Sequence, residues 1–135
     1  MRKVFTVGVF DYFHYGHLRL FCKAKTYGDY LIVAVQDENY ILKFKPDSTI
    51  CYSTEQRKEI ISALKIVDEV YTYESVDKIV PEIDFDVFVL GEDQLHEGFK
   101  RAAEWCRKNG REVVRVERTP GISSSDIKHN IIKRQ

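Results

Sequence analysis

Short apolar runs alternate along the chain with segments whose apolar positions recur every three or four residues. The apolar runs predict buried strands at 4–9, 30–35, 68–73, 86–90 and 112–116. The periodic segments predict helices at 16–27, 53–64, 75–80, 97–108 and 123–133. Gly28 stands where a glycine commonly ends a helix, and Ser53 with Gln56 forms a capping box. Residues 36–52 are polar and contain Pro46, which predicts a long loop.

The regular alternation of strand and helix predicts an α/β fold. With right-handed crossovers it gives a Rossmann-like, doubly wound parallel sheet of five strands with helices on both faces. The length of 135 residues, without a repeat or a Pro/Gly-rich linker, predicts a single domain over residues 1–135. Ligands of such sheets bind beyond the carboxyl ends of the strands, where the strand order reverses. Residues that directly follow a strand are therefore the functional candidates.

Composition excludes several kinds of partner. The chain has 21 basic and 21 acidic residues, so its net charge is zero and offers no overall attraction for nucleic acid or an anionic membrane. No apolar run reaches the length of a membrane span, and the first residues lack the apolar core of a secretion signal. The three cysteines have no CxxC spacing, so no zinc site is expected. We expect a cytoplasmic protein without nucleic-acid or membrane partners.

The first candidate site follows the first predicted strand. His14 and His17 lie three residues apart at the start of the next helix, and Gly16 between them allows a ligand to approach the backbone. Free N–H groups and the helix dipole favour a phosphate there, and two imidazoles can donate hydrogen bonds to it. The alternatives are two unrelated structural histidines or a zinc pair, which more often has i, i+4 spacing and a third acidic or thiol ligand.

A second candidate site lies between the last predicted strand and the last predicted helix. Arg118 provides a fork for phosphate oxygens, Gly121 permits a turn, and hydroxyls beginning at Ser123 stand at the helix start. Simple capping by Ser123 explains one of these hydroxyls. Two anion-binding helix starts at one sheet edge indicate a polyphosphate that spans them.

Two further groups of polar residues are weaker candidates. Lys43, Lys45 and Arg57 lie in and beyond the predicted loop, where cations could close over phosphates, although a loop lysine is usually only solvated. The loop that begins with Gly91 follows the fourth strand and is placed to contact a base or a substrate alcohol.

Together these stretches resemble the cytidylyltransferase family, a group of HxGH nucleotidyltransferases. The resemblance rests on His14-Tyr15-Gly16-His17 and on Arg118-Thr119-Pro120-Gly121-Ile122-Ser123-Ser124. It implies transfer of CMP from CTP to a phosphorylated small alcohol, with glycerol 3-phosphate as first choice, and release of pyrophosphate. It also implies Mg²⁺ held mainly through substrate phosphates, no direct protein ligand for the metal, and a homodimer.

The resemblance further assigns roles to individual residues. Catalytic roles fall to His14, His17, Lys43 and Arg118, and acceptor binding falls to Lys45 and Arg57. Nucleotide binding is expected from Val9, Phe10, Asp11, Gly16, Gly91, Asp93, Arg118, Thr119, Gly121, Ile122 and Ser123.

Two positions depart from the family pattern. Pro120 stands where an acidic residue is usual, and Gln94-Leu95-His96 replaces a stretch that contains tryptophan in the glycerol-phosphate members. The alternatives to the first choice are therefore phosphocholine or phosphoethanolamine as acceptor, and an adenylyltransferase that uses ATP on a sugar phosphate or a cofactor precursor. A nucleotide-binding module without activity and a flavodoxin-like domain are more distant alternatives.

Overall fold

The computed structural model describes residues 1–117. It contains five strands: β1 (Lys3–Gly8), β2 (Tyr30–Gln36), β3 (Glu69–Tyr73), β4 (Val87–Gly91) and β5 (Glu112–Val116). Five helices lie between them: α1 (Tyr15–Lys25), α2 (Glu38–Phe44), α3 (Thr54–Ser62), α4 (Val76–Ile79), which continues as a 3-10 turn over Val80–Glu82, and α5 (Glu97–Lys108). The predicted helix at 123–133 lies outside the described residues.

All strand pairs are parallel, in the order β3-β2-β1-β4-β5. The chain therefore adds β2 and then β3 on one side of β1, and then crosses back to add β4 and β5 on the other side. This confirms the predicted doubly wound sheet. It also locates the point where strand order reverses, between β1 and β4, which is where such folds bind ligands.

The two faces of the sheet are covered by different helices. On one face Phe21 of α1 and Ile61 of α3 pack with Val33 of β2 in one buried cluster. On the other face Val76 of α4 and Phe99 of α5 belong to a second buried cluster. Residues of β1, β2 and β4 are buried almost without interruption, as expected for strands that are covered on both sides.

Helix α2 corrects the prediction of an unbroken loop over residues 36–52. Asp37 caps the helix by accepting a hydrogen bond from the Tyr40 amide at 3.1 Å. The rings of Tyr40 and Phe44 meet one turn apart, with centroids separated by 4.8 Å. The helical spacing of these apolar residues was hidden by the polar composition of the segment. Between α2 and α3 the chain forms no regular element.

The role predicted for Gly28 is also wrong. Helix α1 ends at Lys25, and its cap residue Thr26 keeps a right-handed conformation. Of the described glycines only Gly110, just after α5, has a positive φ, of 73°. Gly28 is instead required by space, because a Cβ there would lie 2.5 Å from the Arg2 carbonyl oxygen. No helix among residues 1–117 is long and apolar enough to span a bilayer.

We predict that Gly28→Ala lowers the free energy of unfolding by about 1–3 kcal/mol, the usual cost of overpacking. The Arg2 carbonyl cannot move away freely, since it accepts a hydrogen bond from the Asp29 amide. Urea denaturation measures the change. Gly110→Asn is the control, because no atom lies within 4 Å of a Cβ at Gly110 and asparagine tolerates its backbone conformation. A Gly28→Ala protein as stable as the parent would contradict this account.

Candidate active site

Strands β1 and β4 pair through their backbones only near their amino ends. The register joins Val4 to Val87 and Phe5 to Phe88, and no backbone pair follows. By contrast, β1 pairs with β2 over the full length of the strand. The sheet is therefore open at the carboxyl ends of β1 and β4, at the point where strand order reverses.

Side chains bridge the open part of this strand pair. The Thr6 hydroxyl donates to the Val89 carbonyl at 2.9 Å. The Gln94 amide nitrogen donates to the Val7 carbonyl at 3.1 Å, and its oxygen accepts from the Gly91 amide at 2.9 Å. Gln94 thus fixes the start of the loop after β4. The sequence placed Gln94 in the polar loop after the fourth strand and in a departure from the family pattern, but no local pattern predicts its contact with β1.

The turn between β1 and α1 is held in an uncommon conformation. Phe10 and Tyr12 have φ angles of 56° and 50°, a region that non-glycine residues avoid at a cost of about 1–2 kcal/mol each. Between them the buried Asp11 carboxylate accepts hydrogen bonds from the Cys51 and Tyr52 amides at 2.7 and 3.0 Å. Asp11, predicted to bind nucleotide, therefore anchors the segment that precedes α3.

His14 and His17 occupy the first turn of α1 with stacked rings, whose centroids are 3.8 Å apart. His14 Nδ1 accepts from the Gly16 amide at 3.0 Å, and His17 Nδ1 accepts from the His14 amide at 3.3 Å. An Nδ1 that accepts a hydrogen bond carries no proton, so the proton of each neutral ring lies on Nε2. The capping bonds thus fix both imidazoles as Nε2–H donors.

His17 lies in a surrounding that disfavours its charged form. Burial lowers its pKa to about 3, with a further contribution from the neighbouring His14. The rings of Phe10 and Phe13 lie 5.3 and 5.4 Å from its own. His17 is therefore neutral near pH 7. Its Nε2–H is available as a hydrogen-bond donor, and the ring cannot serve as a cation or as an acid with a pKa near neutrality.

Arg57, predicted to bind the acceptor, is fully buried. Its guanidinium donates to the Val9, Gln36 and Tyr52 carbonyls at 2.8–3.0 Å and to the Thr54 hydroxyl at 3.2 Å. These partners use most of its donors. The structure corrects the prediction, since a side chain enclosed in this way holds strand ends together and does not reach an acceptor.

The two lysines of the candidate set lie at the end of α2. Lys43 and Lys45 are exposed. Burial lowers the pKa of His96, at the start of α5, and repulsion from the nearby Lys45 lowers it further. The end of α2, which follows β2, therefore presents cations at the carboxyl edge of the sheet, near the start of α5.

The remaining predicted residues fall into two sets. Val9 and Phe10 follow β1, while Gly91 and Asp93 lie at the end of β4, so both groups lie at the opening between these strands. The predicted phosphate turn with Arg118, Thr119, Gly121, Ile122 and Ser123 lies outside the described residues. It follows directly on β5, which ends at Val116.

A dedicated metal cage is absent from residues 1–117, where no three histidine, cysteine or acidic side chains gather. Mg²⁺ usually binds through one or two carboxylates together with substrate phosphates. The Mg²⁺ that the family resemblance implies stays a prediction. Bound together with a triphosphate, it would neutralise charge on the phosphate oxygens.

Comparison with known proteins identifies the family. The model of cytidylyltransferase-like proteins matches residues 5–130. The chain belongs to the cytidylyltransferase-like family. Its members are nucleotidyltransferases, so the two stacked histidines belong to an enzyme that transfers a nucleotidyl group.

Relatives of this cytidylyltransferase-like chain differ in the substrates that their names indicate. A glycerol-3-phosphate cytidylyltransferase of Bacillus spizizenii is 37% identical over 97% of this chain and 98% of its own. An FAD synthase of Ferroglobus placidus is 41% identical over 86% of this chain and 76% of its own. Among solved structures, a lipopolysaccharide core biosynthesis protein of Thermoplasma volcanium has a TM-score of 0.74 and 28% identity, covering 88% of this chain and 98% of its own.

We predict that His17 makes stability depend on pH. Between its ordinary pKa of 6.5 and its folded value of about 3, only the unfolded chain binds the proton. The free energy of unfolding therefore falls as the pH is lowered through this window, by at most about 1.4 kcal/mol per pH unit from this residue. Urea denaturation between about pH 7 and 5.5, where carboxylates with ordinary pKa values of about 4 are still almost fully ionised, measures the slope.

His17→Gln is the matched variant for this test. Glutamine at this helix position can keep the capping bond to the His14 amide but does not titrate. The pH dependence of its unfolding should be shallower than that of the parent. Equal slopes would contradict the burial of a neutral His17.

We predict that Arg57→Met lowers the free energy of unfolding by about 3–5 kcal/mol, as when one member of a buried polar network is removed. The change keeps an unbranched apolar stem but removes the guanidinium, which leaves three carbonyls without their donor. Thermal and urea denaturation test it, with Lys58→Met on the same helix as a control expected to change stability by less than about 0.5 kcal/mol. A stable Arg57→Met protein with weakened acceptor binding would restore the original prediction.

Proposed function

We propose that this protein transfers CMP from CTP to a phosphorylated small alcohol, with glycerol 3-phosphate as the first acceptor to be tested, and releases pyrophosphate. The observation that carries the proposal is the stacked pair His14 and His17. Both rings are fixed as Nε2–H donors at a helix start beside the opening between β1 and β4. Donors in this place suit the α-phosphate of a nucleotide whose charge rises during the reaction.

The reaction is a direct displacement. An anionic phosphate oxygen of the acceptor attacks the α-phosphorus of CTP and forms the new P–O bond. The bond from the α-phosphorus to the bridging oxygen breaks, and pyrophosphate leaves with the electron pair. Because the nucleophile is already charged, the protein needs no strong base. Positioning and stabilisation of charge supply the catalysis.

Other residues complete the proposed site. Lys43 on α2 and Lys45 directly after it are both exposed, and we expect them to meet the triphosphate and the acceptor phosphate. Arg118 and the turn that ends at Ser123 are expected to bind the triphosphate, together with Mg²⁺ carried on its oxygens. The base is expected beside Val9, Phe10 and the loop after Gly91. We also expect a homodimer in the cytoplasm.

A second function is adenylyl transfer from ATP to a flavin phosphate or a sugar phosphate. It is supported by the 41% identity to the Ferroglobus placidus FAD synthase. Cytidylyl transfer is favoured because the Bacillus spizizenii enzyme aligns over nearly the whole of both chains. Pyrophosphate release from CTP and from ATP, each with glycerol 3-phosphate, phosphocholine, phosphoethanolamine and flavin mononucleotide, separates the two. Turnover with ATP alone would exclude the cytidylyl assignment.

We predict that His14→Asn and His17→Gln each lower kcat by about 10²–10³-fold, as when one donor to a developing negative charge is removed. Asparagine and glutamine can keep the capping bonds of α1, so the free energy of unfolding should change by less than about 1 kcal/mol. Alanine would remove the cap as well as the donor. Steady-state pyrophosphate release measures the effect.

Arg19→Gln is the control for these variants, since Arg19 is exposed on α1 beyond the histidine turn. It should keep the parent kcat. Full activity of both histidine variants would refute the mechanism, while equal losses in the Arg19 variant would show that the assay responds to any change in α1.

A further inference from the structure

A groove lies at the carboxyl ends of β2 and β3. Two adjoining cavities of about 430 and 450 Å³ form it, and they share the side chains of Tyr40, Tyr73 and Ser75. Helix α2 borders one side, and His96 and Arg101, at the start of α5 and one turn further on, border the first cavity. We call it the β2–β3 groove. Its two cavities fall within the range of about 300–1,000 Å³ that is common for small-molecule sites.

Tyr73 is the most enclosed polar side chain of the β2–β3 groove. It is 5% exposed, and its hydroxyl has no hydrogen-bond partner among residues 1–117. Every fully buried side-chain nitrogen or oxygen in that part of the chain has a partner. The Tyr73 hydroxyl must therefore open to the groove. Burial also raises its pKa, so that it stays protonated and can donate.

Because the hydroxyl opens to the groove, its hydrogen-bond partner must come from what the groove holds, which is water or a bound ligand. A ligand hydroxyl that replaces this water and accepts the bond would be recognised by Tyr73. Tyr71, two residues earlier on the same strand, differs in both respects, since it is exposed and its hydroxyl donates to Glu69 at 3.1 Å.

His96 provides a second donor at the other side of the groove. Its Nδ1 accepts from the Gly98 amide at 3.1 Å, which leaves the proton of the neutral ring on Nε2. Burial lowers its pKa, and the nearby cations Lys45 and Arg101 lower it further. Arg101 in turn pairs with Asp77 at 3.0 Å. The groove therefore holds two neutral donors, Tyr73 and His96, with charged side chains nearby, such as Arg101.

The β2–β3 groove is joined to the histidine turn through Arg57. One guanidinium nitrogen donates both to the Gln36 carbonyl at 2.8 Å and to the Val9 carbonyl at 2.9 Å. Gln36 lines the groove, and Val9 follows β1 just before the turn. An acceptor whose phosphate lies at the histidines would extend across the end of β2 and place its alcohol portion in the groove.

We propose that the β2–β3 groove binds the hydroxyl-bearing portion of a phosphorylated polyol, with the Tyr73 hydroxyl and His96 Nε2 as its hydrogen-bonding groups. This proposal rests on the function proposed above and assigns the acceptor portion of that site. Tyr73 and His96 determine which acceptor is bound and take no part in the displacement itself. The volume of the groove leaves room for polyol phosphates longer than glycerol 3-phosphate.

The test compares Tyr73→Phe and His96→Asn with the parent protein. Each should raise KM for the polyol phosphate by about 3–10-fold, the loss of one hydrogen bond between neutral groups. KM for CTP and kcat at saturating acceptor should stay within about twofold of the parent values. Tyr73→Phe should also melt close to the temperature of the parent, since the hydroxyl opens to the groove and bonds no other residue among 1–117. Asparagine at His96 retains the capacity to cap α5.

Tyr71→Phe is the matched control, with the same change on the same strand but outside the groove. It should leave the KM values for CTP and acceptor unchanged. Acceptors that lack one hydroxyl, such as the phosphates of 1,2- and 1,3-propanediol, provide the complementary deletion. For the analogue that lacks the hydroxyl bound by Tyr73, the KM of the Tyr73→Phe variant should equal that of the parent protein.

The panel of acceptors includes glycerol 3-phosphate, erythritol 4-phosphate and ribitol 5-phosphate. If the parent protein turns over none of them with CTP, the proposed function fails and this inference fails with it. If the parent is active but Tyr73→Phe and Tyr71→Phe are indistinguishable from it, only the assignment of the groove is overturned. An equal rise in the KM for CTP and for acceptor in Tyr73→Phe would likewise refute a site specific for the acceptor.

Discussion

The fully buried guanidinium of Arg57 is the interaction on which the arrangement of the site depends. It joins the backbone after β1, the end of β2 and the approach to α3 through the carbonyls of Val9, Gln36 and Tyr52. Burial lowers the pKa of Arg57, and nearby carboxylates, Asp11 first among them, act in the opposite direction. A planar group with five donors can satisfy three backbone segments at once, which the single ammonium of lysine cannot do with the same geometry.

Asp11 provides a second link between the turn after β1 and the segment that precedes α3. Its carboxylate holds the Cys51 and Tyr52 amides, while Phe10 and Tyr12 on either side keep left-handed conformations. The strain in the turn is thus balanced by bonds to a distant segment. The histidines follow this fixed turn directly, so their position at the sheet edge depends on the bonds between Asp11 and the segment before α3.

The periodicity of the sequence was sufficient to predict the five strands and every helix among residues 1–117 except α2. Strands β1, β2 and β4 are covered on both faces and are therefore almost continuously apolar, while the edge strands β3 and β5 are only partly buried. The histidine turn was predictable from its spacing and its place after β1. The roles of Arg57 and Gln94 were not, since their partners lie far away in the sequence. A buried arginine in a helix beginning with a capping box cannot be distinguished by pattern from a solvated one.

The opening between β1 and β4 has a consequence for how such enzymes diverge. At their carboxyl ends these strands are joined by the side chains of Thr6 and Gln94, where backbone pairs would otherwise lie. A backbone pair is the same for every residue type, whereas a side-chain bridge can be altered by a single codon. The ligand-binding edge of the sheet is therefore open to gradual change by mutation while the rest of the ladder is preserved. One scaffold can in this way give rise to relatives named for glycerol phosphate and for flavin.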